Sequence, residues 1–211
     1  MEHVALQKTP GSVPPLESLR QAEAADVDRI YGHLLRLSTD DRSLRFCGAV
    51  RDLTLRRQAE AVAAGYPAGL IACSHEPDAP VRGMIEIARI VDWAEIALSV
   101  EDDWRGLGLA PGLIRGAARW ARTKNIRVLE ALTLPENGAM RGLGRKLGAR
   151  SRADDGMIRM RFDVDDLLRD ETPSPVPVSA RPAAQIARDP AAAIMAASAA
   201  AKARATLPAA R

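Results

Sequence analysis

Apolar and polar positions alternate between two periods along the chain, and the switches between them mark its elements. LESLRQA (16–22) reads as a strand. Val27, Ile30, Leu34 and Leu37 then share one helical face, which predicts a helix capped by Asp26 and running through Ser38. STDDRSLRF (38–46) opens on cap residues and starts a second helical region, closed by DLTLRRQAEAVAAG (52–65) with Gly65 as its stop. GLIACSH, VRGMIEIARI and AEIALSV follow as three strand-like runs with short turns between them, the order of an antiparallel meander. Leu113, Ala117 and Trp120 stripe a helix from about Leu109 to Arg122. VLEALTL (128–134) is a strand, Asn137 to Leu147 a helix stopped by Gly148, and MIRMRFDV (157–164) a last strand. The prediction is an α+β fold, a mixed and mostly antiparallel sheet flanked by helices.

The pattern frays at both ends. Residues 1–15 are polar and proline-bearing, and are expected to form a loose arm before a domain over 16–168. From 169 to 211 the chain becomes rich in proline and alanine, with Asp189 and Pro190 placed to start an alanine-rich helix that has little apolar surface to dock. This tail is expected to be disordered or partly helical. It also changes the reading of charge. Its five basic and two acidic residues after Asp170 account for the whole formal net charge of +3. The domain itself is balanced and poor in aromatics, which argues against nucleic acid as a partner. No apolar run approaches membrane-spanning length, and the N-terminus lacks the features of a signal peptide, so no membrane partner is expected. Cys47 and Cys73 are too few for a disulfide framework and read as reduced, packed thiols of a cytoplasmic protein. His3, His33 and His75 have no ligand spacing, so no metal is expected.

One turn resists the bland reading. Between the strand ending at Val100 and the helix starting near Leu109 stands Arg105-Gly106-Leu107-Gly108-Leu109-Ala110. Glycines allow positive φ and close backbone approach, and a helix start presents unpaired N–H groups at its positive end. Together they suit a pyrophosphate. Pro111 fits the first helical turn, where its missing N–H costs nothing. A nucleotide-triphosphate loop is excluded because G-x-x-x-x-G-K-[ST] is absent. A dinucleotide fold is excluded because the turn follows a meander, and a serine hydrolase because there is no G-x-S-x-G.

The Arg-x-x-Gly-x-Ala pattern of this turn resembles motif A of the GNAT N-acetyltransferases. LPENGAMRGLGRKLGA (134–149) resembles the segment that follows it in that superfamily. Leu44-Arg45-Phe46 and Ala94-Glu95 are most similar to the acetyltransferase domains of bacterial protein-lysine acetyltransferases. The resemblance implies acetyl-CoA as cosubstrate and a primary amine, on a protein lysine or a small molecule, as acceptor. Transfer would be direct in a ternary complex, by a monomer or homodimer. It implies that Arg105, Gly106, Leu107, Gly108, Leu109 and Ala110 bind the CoA pyrophosphate, and that a bulged or splayed fourth strand near Leu98 and Val100 binds the pantetheine and thioester. Asn137 would bond the pantetheine arm or that strand, and a helix N-cap is its other reading.

Acetyl transfer also needs a proton acceptor. Strand alternation puts Glu95, Ala97 and Ser99 on one face and Ile96, Leu98 and Val100 on the other, and the resemblance to lysine acetyltransferases that carry a glutamate there implies Glu95 as the candidate base. Burial would raise its pKa. Glu86, on the preceding strand, is the alternative. Asp40, Asp41, Arg42 and Arg45 are candidates for the acceptor entrance, and Arg141 and Arg145 for a phosphate contact or a solvated face. The sequence departs from the family at Gly144, where many members carry a tyrosine that protonates the leaving thiolate. That departure leaves a non-catalytic acyl-CoA sensor as the alternative.

Overall fold

The structure, a computed structural model, describes residues 19–72 and 79–169. The expected arm, Cys73, His3, His75 and all of the tail beyond Arg169 lie outside them.

The meander forms as the alternation predicts. β1 (Leu19–Gln21), β2 (Ala68–Ala72), β3 (Gly83–Arg89) and β4 (Trp93–Val100) pair antiparallel in chain order. α4 (Leu109–Thr123) then crosses over to β5 (Val128–Thr133), which lies parallel to β4. A parallel neighbour requires such a crossover. β7 (Met157–Asp163) pairs antiparallel with β5 and with β6 (Arg150–Asp154), and the sheet order is β1-β2-β3-β4-β5-β7-β6.

Period-two alternation divides the sheet between two cores. Ile85, Ile87, Ala94, Ile96, Leu129, Ala131, Met160 and Phe162 bury against Leu113, Ile114, Ala117 and Trp120 of α4 and Leu167 of α6 (Val164–Leu168). α5 (Gly138–Lys146) adds Met140 and Leu143 to this side. On the other face Ile71 and Met84 bury against Ile30 and Leu34 of α1 (Val27–Arg36) and Leu55, Ala59 and Val62 of α3 (Asp52–Ala63).

Several expectations are corrected. The first helix stops at Arg36, and the Asp26 side chain does not cap it. Its carboxylate instead accepts the Glu23 N–H and pairs with Arg20 and Arg29. The second helical region is two helices, α2 (Thr39–Phe46) and α3, because Cys47 turns left-handed at φ 53° and ends α2. Cys47 is half-buried at that turn and not a core thiol. β6 and α6 are elements the sequence reading does not name, although α6 buries Val164, Leu167 and Leu168 on one short face. β6 (RSRAD) is an almost wholly exposed edge strand with no apolar alternation to announce it. It is set by the Asp155–Gly156 turn, both residues at positive φ. α6 is capped by Asp163, whose carboxylate accepts the N–H groups of Asp165 and Asp166. Among the described residues no helix is long and apolar enough to cross a membrane.

Candidate active site

β4 and β5 begin as neighbours and then part. Their register runs only from Trp93↔Val128 to Glu95↔Glu130. Beyond it β4 continues to Val100 and β5 to Thr133, leaving two facing edges without ladder partners. A cavity of about 440 Å³ fills this fork. Ile96 to Val100 and Ala131 to Thr133 line it from the two strands. Leu37, Asp41, Leu44 and Arg45 close one side, and Met140, Leu143 and Lys146 of α5 close another.

The glycine turn forms one end of the cavity. Gly106 and Gly108 have φ of 73° and 86°, the left-handed region that an L side chain rarely adopts. Gly108 is the N-cap residue of α4, and it supplies no side-chain cap, so the start of the helix keeps N–H groups that a ligand can use. Leu98, Val100, Arg105, Gly106, Gly108, Leu109, Ala110 and Asn137 all line the cavity. Leu107 does not. It packs against the core under α4, so its side chain anchors the turn. Arg105 is held by Asp41 at 2.6 Å and Asp102 at 2.8 Å, which keeps its guanidinium at the mouth. Asn137 fulfils the capping reading: its Oδ1 accepts the Met140 N–H at 3.0 Å while the residue still borders the cavity. Arg141 is exposed and donates to the Pro135 carbonyl, and Arg145 is also exposed, so both form a solvated face.

Gly144 is buried, and a Cβ there would stand 2.8 Å from Met160 Sδ. Met160 occupies the space that a side chain at 144 would need. The position therefore faces β7, and it is not among the cavity-lining residues.

Glu95 lies just beyond the cavity lining, next to Ile96. Its face of the sheet also carries Glu86 through the pairing of β3 with β4, and Glu130 through that of β4 with β5. Glu130 is ion-paired with Arg159 at 2.7 Å and Arg161 at 3.1 Å. Glu86 is buried against Arg45 at 2.5 Å and accepts the Gln58 amide. Among the described residues, no hydrogen bond or ion pair holds Glu95. Burial raises its pKa above the usual carboxylate value, the charges of Glu130 and Glu86 add to the rise, and Arg45 and Arg159 oppose it. A half-buried, uncommitted carboxylate with a raised pKa has the properties of a general base. Glu86 differs in being almost wholly buried and committed to an ion pair with Arg45 and a hydrogen bond from Gln58.

The sequence reading missed a chain of three polar groups on the same face. His33, completely buried on α1, has Nδ1 3.2 Å from Glu101 Oε1 and Nε2 2.8 Å from Ser99 Oγ. Ser99 lines the cavity. Arg36 and Arg82 donate to Glu101 at 2.8 and 2.9 Å. The available signal was helical spacing, since His33 falls three residues after Ile30 and four before Leu37, within the buried stripe. Lys146, at the cavity mouth, was also missed. Among the described residues no group of three or more His, Cys, Asp or Glu is arranged to hold a metal ion.

Comparison with known proteins places the fold and the family. No curated protein matches the chain. Its fold is that of the GNAT domain of S. lividans PAT, at 24% identity and TM-score 0.58 over 69% of this chain and 89% of that one. It is also that of a ribosomal-protein-S5-alanine acetyltransferase from Vibrio fischeri, at 13% identity and TM-score 0.55 over 71% and 93%. A PaiA N-acetyltransferase from Thermoplasma acidophilum, in complex with coenzyme A, is similar at 15% identity and TM-score 0.55 over 69% and 97%. Residues 18–150 match the family model of the acetyltransferase (GNAT) domain. By that match, and by a seven-stranded sheet forked between its fourth and fifth strands, the chain belongs to the GNAT acetyltransferase family.

Proposed function

We propose that the chain is a cytoplasmic acetyl-CoA-dependent enzyme that acetylates a primary amine by direct attack in a ternary complex. The observation that carries this reading is the fork: two unpaired strand edges meet at an uncapped helix start with two left-handed glycines. A pyrophosphate fits the turn from Arg105 to Ala110, because the start of α4 offers N–H groups there and the Arg105 guanidinium, held by Asp41 and Asp102, stands at the same mouth. The pantetheine amides fit the open edge of β4 near Leu98 and Val100, as an added strand would. Asn137 borders the same path. When bound, the cosubstrate supplies the activated acetyl group, and the protein's residues hold it and manage protons. The acceptor, a protein lysine or a small amine, enters from the side of Leu37, Asp41, Leu44 and Arg45. Glu95 removes the ammonium proton through a water, since it stands behind the lining.

The test is calorimetric. Gly108→Asp puts a side chain and a negative charge at the helix start, where like charge repels the pyrophosphate. The expected result is loss of CoA binding by a folded variant. Unchanged affinity would overturn the assignment. The sensor alternative draws on Gly144, and turnover with a panel of amines separates it from an enzyme.

A further inference from the structure

We infer that Ser99 is a second catalytic residue, a hydroxyl that shuttles a proton from the attacking nitrogen to the departing sulfur, with His33 and Glu101 positioned behind it. This inference rests on the acetyl-transfer reading above.

The direction of each hydrogen bond follows from charge. Burial disfavours ionisation of Glu101, but hydrogen bonds from His33, Arg82 and Arg36 outweigh it and bring its carboxyl down to about 2. Glu101 is therefore an anion and offers only acceptors. Burial also lowers the pKa of His33 and keeps its ring neutral, although Glu101 pulls the other way. A neutral imidazole has one N–H, and the carboxylate takes it, so Nδ1 donates to Glu101 Oε1. Nε2 is then bare and accepts the Ser99 hydroxyl proton across 2.8 Å. What Ser99 turns toward the cavity is its oxygen lone pairs.

The burial pattern limits what this chain can do. His33 is 0% exposed, so nothing in the cavity touches its ring directly. A proton reaches Nε2 only through Ser99 Oγ. That geometry excludes His33 as a direct base and suits a two-step relay. Once Glu95 has freed the amine, its nitrogen attacks the thioester carbonyl carbon, a C–N bond forms and the C–S bond breaks. The nitrogen has one proton to lose and the sulfur one to gain. Ser99 Oγ takes the first as its own proton moves to Nε2, and the Glu101 carboxylate balances the imidazolium. The reverse movement delivers a proton to sulfur. The net change is amine plus thioester to amide plus thiol, with no proton left over. The relay occupies the role left open at position 144, where Met160 leaves no room for a side chain.

The experiment is single-turnover acetyl transfer by the full chain saturated with acetyl-CoA. The acceptors are Nα-acetyl-lysine methylamide and an alanine-leading peptide, with rates measured in mixtures of H2O and D2O. The wild type is expected to give a curved dependence on deuterium fraction, because two protons move together. Ser99→Ala is expected to lower the rate roughly 10²-fold, to make that dependence linear, and to leave CoA affinity within about twofold, since the cofactor-binding edge is backbone. A structural staple would change the melting temperature and CoA affinity without changing the isotope dependence. A linear dependence in the wild type overturns the relay, and it decides the matter even if Ser99→Ala fails to fold. So does a wild-type rate in Ser99→Ala. If the wild type binds CoA but acetylates neither acceptor, the acetyl-transfer reading fails and takes the relay with it.

Discussion

Glu95 and Glu86 stand on adjacent strands and on the same face, yet their surroundings give them different chemistry. Sequence alternation is enough to name both and cannot choose between them, because the choice depends on Arg45 and Gln58, which reach Glu86 from α2 and α3. Glu95→Gln keeps the shape and removes the proton acceptor, so the rate of acetyl transfer should fall roughly 10²–10⁴-fold with CoA affinity intact. A base must be ionised to act. The acidic limb of the wild-type rate profile should therefore lie above the ordinary glutamate range, in line with the raised pKa, and be missing from the variant. Glu101 is the opposite case. Its carboxyl titrates at about 2 in the fold against 4.5 ordinarily. Its contribution to stability is complete above the ordinary value and lost as pH falls toward the folded one, on the order of 3 kcal/mol in all. The lowered pKa of His33 acts in the same sense, beginning near 6.5. Melting temperature should fall as solutions are acidified from neutral, and Glu101→Gln should lower it at neutral pH while flattening that slope. A slope unchanged in the variant would remove Glu101 as its source.

Elements with an apolar period were legible, and elements held by a turn or an edge were not. The meander, α4 and β5 each bury a regular stripe, so LIA, MIEIA and EIALSV announce them directly. β6 buries almost nothing, and only its pairing with β7 makes it a strand. The glycine turn was legible because φ near 73° and 86° restricts residue choice. The His33–Ser99–Glu101 chain was not, since it joins α1 to the end of β4 across 66 and 68 positions. Close packing between elements can be tested separately from the site. A Cβ at Gly69, on β2, would run into the Val62 side chain of α3. Gly69→Ala should destabilise the fold by about 1–3 kcal/mol through overpacking, read as a lower denaturation midpoint. CoA affinity should not change, because neither Gly69 nor Val62 lines the cavity.

At the scale of the molecule, the two cores close the faces of the sheet, and the cavity shares Ile96, Val100 and Ala131 with the larger and Leu37 with the smaller. The larger one closes with Leu167 and Leu168 of α6 packed in the same cluster as α4. The fork is where the sheet itself stays open. The sheet has seven strands and stays continuous only through three residue pairs at the base of β4 and β5. Beyond them α4, which packs on both strands, spans the gap in place of the ladder. A pantetheine lying in the gap would act as an eighth strand made of non-peptide amides, so the cosubstrate becomes part of the protein's own hydrogen-bonded framework while it is bound. Amide exchange at 96–100 and 131–133 should then slow sharply with CoA and little elsewhere. At about a hundredfold excess over Kd the whole fold should gain about 2.7 kcal/mol. Product departure is, in that sense, a local loss of secondary structure, and the enzyme would have to unmake part of a β-sheet at the end of every turnover.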